Sequence, residues 1–107
     1  MNTERQGARR RWIGLANVVP RPGNESLGNA DGAFVAVVGD ARSTEGFLDL
    51  VSQELGSLEF EVVSLEDVEL LRKRKLSHDL PDELLQAITY ISAFSPVAFS
   101  SFFPYDA

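Results

Sequence analysis

Residues 33–38, AFVAVV, are apolar at every position and lie between Asp31-Gly32 and Gly39-Asp40. A run this short, bounded by turn residues, fits a strand better than a buried helix. Because no position is polar, the strand is expected to be covered on both faces.

The rest of the chain must supply that cover from 107 residues, 44% of them hydrophobic and 24% charged. This is too rich in core-forming residues for a disordered tail and too short for two ordinary domains. One α+β domain over residues 1–107 is expected, with residues 1–10 flexible. The sequence has no cysteine and one histidine. That excludes a disulfide framework, a thiolate zinc site, a cysteine nucleophile and any cluster of histidines within the chain. No metal site, cofactor or catalytic set is expected.

Charge is unevenly placed. Residues 1–24 carry five arginines against Glu4 alone, a net of +4, while residues 25–107 carry five basic and fifteen acidic groups, a net of −10. An acidic body repels phosphate backbones at long range, so nucleic acid is not the expected partner. The run Arg9-Arg10-Arg11-Trp12-Ile13 imitates a twin-arginine export signal. Its apolar stretch, Trp12 to Val19, contains Asn17 and stops at Pro20-Arg21-Pro22-Gly23. No other stretch approaches the roughly 18 apolar residues of a membrane span, so the expectation is a cytoplasmic protein with no membrane segment.

Residues 12–19 place Ile13, Leu15 and Val19 on one face and Trp12, Gly14, Ala16 and Val18 on the other, the alternation of a strand. A loop rich in turn residues follows over 20–32, then the apolar strand. Ser43 or Thr44 can cap a helix carrying Phe47, Leu48, Val51 and Leu55, with Gly56 as its natural stop. Residues 59–65 alternate Phe60 and Val62 with Glu59 and Glu61 and predict a half-exposed strand. Ser64-Leu65-Glu66-Asp67 resembles a capping box, predicting a short helix with Val68 and Leu71 that ends in Arg72–Lys75. Pro81 opens another helix with Leu84, Leu85, Ile88 and Ile91 inward, although residues 88–94 also suit a strand. Residues 97–103 predict a last strand. The order ββαβααβ suggests a small mixed sheet of about four strands with two or three helices packed on one face.

No motif carries chemistry outright. His78 lies beside Asp79 in a polar turn, where a surface or capping role is the favoured reading. Asn29-Ala30-Asp31-Gly32 echoes a calcium loop, but Leu27 and Val38 stand where acidic ligands belong. Gly39-Asp40-Ala41-Arg42-Ser43-Thr44 joins the apolar strand to a helix start and could hold an anion through Arg42 and Ser43. The second glycine and the lysine of a phosphate loop are missing, and Asp40 would oppose an anion.

The expected function is therefore a non-enzymatic protein–protein interaction module of inhibitor, immunity or regulatory type. Glu59, Glu61 and Glu66 would steer a basic partner, and Phe102 and Phe103 would anchor it. Adjacent Phe102 and Phe103 face opposite sides of a strand, so one of them needs cover from a helix, a loop or another subunit. A homodimer through the carboxyl-terminal strand is one such arrangement. The rival reading is a small anionic-ligand binder or enzyme around Asp40, Arg42 and Ser43, completed by His78 or Tyr105. RNA contact would require Arg9–Arg11 and Arg72–Lys75 to meet on one face.

Overall fold

A computed structural model describes residues 8–107. The flexible start expected over residues 1–10 falls mostly on residues 1–7, outside the described residues, while Arg10 already belongs to a strand. In chain order the elements are β1 (Arg10–Pro20), β2 (Gly32–Ala41), α1 (Thr44–Ser57), β3 (Phe60–Leu70), α2 (Leu71–Ser77), α3 (Asp82–Ile88), β4 (Val97–Phe99) and β5 (Phe103–Tyr105). The fold is α+β.

The sheet runs β3-β1-β2-β4, and β5 also pairs with β2. Every paired neighbour is antiparallel, which corrects the mixed sheet predicted above. The reason lies in β1. It forms a hairpin with β2 and then accepts β3 on its other edge, so β2 and β3 point the same way without being bonded to each other.

The helices do not share one face, a second correction. Phe47, Val51 and Leu55 of α1 pack with Ala16, Val18, Val35 and Val37. Leu71 of α2 and Leu84 and Ile88 of α3 pack with Ile13, Val38 and Ala98. Side chains alternate along β2, so its two apolar faces each require a layer. Burying a side chain such as Phe47 contributes about 1.5–3 kcal/mol.

Local signals explain some boundaries and mislead at others. Ser43 caps α1, its Oγ accepting from the Gly46 amide at 3.0 Å. The helix expected from Ser64 is instead the second half of β3, which stays in the ladder with β1 as far as Leu70 opposite Trp12. The Ser64 hydroxyl donates to the Glu66 carboxylate rather than capping a helix. Asp67, at φ 54°, absorbs an irregularity in that ladder. After α3 the chain turns at Thr89 and Tyr90 and forms no strand before Val97. The single strand expected over 97–103 is two short ones. At the break, the Ser100 hydroxyl accepts from the Ala36 amide at 2.9 Å while the Ser100 amide donates to the Ala36 carbonyl at 2.9 Å.

Candidate functional site

The sheet face that carries α2 and α3 is only half covered. Those helices lie over Ile13, Val38 and Ala98. Further along the same face, cross-strand pairing sets Glu66, Leu15 and Ala36 in one row, and Ser64, Asn17, Phe34 and Phe103 in the next. Beyond them, Glu61 lies opposite Val19 on the β3 side, and Tyr105 lies opposite Gly32 on the β5 side. Leu15, Val19 and Phe34 are half-buried, and Phe103 is 61% exposed. An apolar strip thus crosses the sheet with Glu61 and Glu66 along its β3 border.

Tyr105 organises the strip. Its ring lies 5.1 Å from that of Phe34, and its hydroxyl donates to Asn17 Oδ1 at 2.6 Å. Gly32 makes room for it: a Cβ there would sit 2.5 Å from the tyrosine oxygen and 2.7 Å from the Val18 carbonyl.

Of the residues singled out from sequence, Glu61, Glu66 and Phe103 share this face. Phe102 does not. It turns to the α1 side, 5.2 Å from the Phe60 ring and 6.4 Å from that of Phe99. Glu59 is also elsewhere, in a left-handed turn before β3 at φ 67°, with its carboxylate 3.7 Å from Arg21. Sequence reasoning missed Leu15, Val19 and Phe34 as surface residues. The alternation of residues 12–19 could have shown the first two.

The strand-to-helix turn is differently occupied. Arg11 forks onto Asp40, Nε to Oδ1 at 2.8 Å and the second nitrogen to Oδ2 at 3.0 Å. These hydrogen bonds hold the Asp40 carboxyl below its usual range against the opposing pull of desolvation, and they raise the Arg11 guanidinium above its own. Ser43 is committed to its cap. Asp40 and Arg42 line an open groove of about 910 Å³ with Arg9, Asp49, Gln53 and Ile91. Neither His78 nor Tyr105 reaches it. His78 pairs with the Ser77 hydroxyl at 2.8 Å beside Arg74, and Tyr105 sits at the opposite end of β2.

The two basic runs do meet. Arg10 and Arg11 from β1 and Arg72 and Lys75 from α2 line a cleft of about 350 Å³. The second arginine of the α2 run, Arg74, instead bonds the Glu69 carboxylate and the Asp67 carbonyl, and its hydrogen bond holds Glu69 below the usual carboxylate range.

Among the described residues no group of three His, Asp or Glu side chains is placed to hold a metal ion, and no helix is long and apolar enough to cross a membrane. No protein-family model, no curated protein and no solved structure matches the chain.

Proposed function

We propose that the chain is a protein–protein interaction module, acting in the cytoplasm without catalysing a reaction, that docks a partner on the open half of the sheet. The observation that carries this reading is the exposure of Phe103 beside Phe34 on a face bordered by Glu61 and Glu66. Apolar side chains left beside a charged border are the usual make-up of a docking surface. The partner is a protein with a basic rim around an apolar projection. The carboxylates would raise its rate of encounter, and the aromatics would hold it once water is expelled.

A second copy of this chain is a less suitable occupant through β5. That strand is three residues long and carries Pro104, which has no amide to donate to another strand.

The test is capture from the native cell with the wild-type chain, Phe103→Ser and the pair Glu61→Lys with Glu66→Lys. A partner retained by the wild type and lost by both variants supports the reading. Equal retention by all three, or turnover of a defined compound by the pure chain, overturns it.

The groove beside Asp40 and Arg42 supports a second reading, a small anionic ligand held by Arg9 and Arg42. Against it, Asp49 adds a second carboxylate to that groove, and the Ser43 hydroxyl oxygen already accepts from the Gly46 amide.

A further inference from the structure

We infer that the cleft between the start of β1 and α2 is a second docking site, for a short acidic segment of a protein that carries an apolar side chain. Three observations combine. Arg10, Arg11, Arg72 and Lys75 line the cleft, and among the described residues no carboxylate does. Arg11 is neutralised by Asp40, but Arg10, Arg72 and Lys75 pair with no carboxylate among the described residues. The floor is Leu70 and Leu71, at the junction where β3 becomes α2.

Each observation narrows the occupant. Three cations gathered around one opening repel one another until an anion enters, so the charge selects a negative group. The leucine floor rewards an apolar side chain, which a bare anion such as phosphate lacks. The space, about 350 Å³, holds one large side chain with a few carboxylates around it rather than a length of polymer. Single-stranded nucleic acid is held by aromatic side chains on which its bases stack, and none lines this cleft. The remaining body, strongly acidic from residue 25 onward, also repels a long polyanion more than a short one.

Residues 9–11 and 72–75 are read in sequence as two separate runs, each explicable alone. The fold unites them because Trp12 pairs with Leu70, which brings the residues before one and after the other to the same end of the sheet.

The site is tested by fluorescence anisotropy on the full chain with three labelled probes. These are the peptide Glu-Glu-Leu-Glu-Glu, the same peptide with glycine for leucine, and a single-stranded RNA oligomer of equal charge. The leucine peptide is expected to bind most tightly and to weaken about tenfold between roughly 0.05 and 0.5 M salt. Arg72→Glu with Lys75→Glu, both exposed positions, should weaken it at least about tenfold while leaving the melting curve in place. Oligomer binding as tight as the peptide's, equal binding of the leucine and glycine peptides, or indifference to the double variant would each overturn the proposal. Because the probes are anionic and the other docking face is acidic, failure here leaves that face standing.

Discussion

The Tyr105 hydroxyl reaches Asn17 Oδ1 at 2.6 Å across the backbone of Gly32, so a residue near the end of the chain locks the first hairpin. Tyr105→Phe keeps the ring against Phe34 and removes only the hydrogen bond. The expected cost is about 1 kcal/mol, read as a fall of roughly 4–8 °C in melting temperature for a domain of this size. Gly32→Ala should cost more, about 1–3 kcal/mol, because the added carbon meets the Val18 carbonyl, which cannot rotate away as a side chain can. Equal stability of Gly32→Ala and wild type would show that Tyr105 and the Val18 carbonyl do not crowd Gly32.

The Arg11–Asp40 pair makes stability depend on pH in a defined direction. The Asp40 carboxyl is depressed below its ordinary value of 3.8, chiefly by the Arg11 hydrogen bond. Its contribution is therefore complete above that value and is lost as pH falls through the lower folded value. Both side chains are more than a third exposed, at 38% and 35%, so solvent screening limits the pair to about 0.5–1 kcal/mol. Asp40→Asn should be less stable than wild type near neutrality. The gap should close as pH falls below the ordinary carboxylate range and through the lowered folded value, which paired thermal melts from neutrality downward would read.

The two-sided core makes α3 part of the fold rather than an ornament. Leu84 is 1% exposed and packs with Ile13 and Val38, whereas its neighbour Leu85 is 38% exposed. Leu84→Ala should cost about 2–5 kcal/mol and Leu85→Ala well under about 1 kcal/mol. Denaturant midpoints for the two variants check this directly.

Those contrasts mark where the sequence was legible. The apolar run 33–38 announced cover on both faces, and the alternation of 12–19 sorted Ile13 and Leu15 from Ala16 and Val18 as the hairpin register has them. Placing every helix on one face contradicted the first signal, because helix order along a chain says nothing about which layer a helix joins. Ser43 declared its cap since that bond spans three residues. Ser64 carried the same kind of signal, yet a ladder with β1 outweighs one local cap. Arg11 and Asp40 are 29 positions apart, and only the hairpin register sets them opposite each other. For the same reason Phe102 and Phe103 could be assigned to opposite faces but not to the inner or outer one.

Glu83 ties α3 to the link between β4 and β5. Its carboxylate accepts from the Ser101 hydroxyl at 2.7 Å and from the Ser101 amide at 3.1 Å, and these bonds hold it below its usual range. Glu83→Gln should speed hydrogen exchange at the Ser101 amide while leaving the Ala36 amide protected by Ser100. Because the folded carboxyl is depressed, the wild type should lose the same protection as pH falls through that lowered value. Unchanged exchange at Ser101 in the variant would show that the link holds without the helix.

Phe102 and Phe103 separate folding from docking. Phe102 lies against Phe60 and Phe99 on the α1 side, so Phe102→Ala should destabilise by about 2–4 kcal/mol. Phe103 is largely in solvent, and Phe103→Ser should change stability by no more than about 0.5 kcal/mol. Measured in the same buffer, the first variant should melt early and the second should melt with the wild type. Only the second can then be used to test docking without confusion from unfolding. If Phe103→Ser proves as destabilising as Phe102→Ala, Phe103 is a packing residue, and the open half of the sheet loses its anchor.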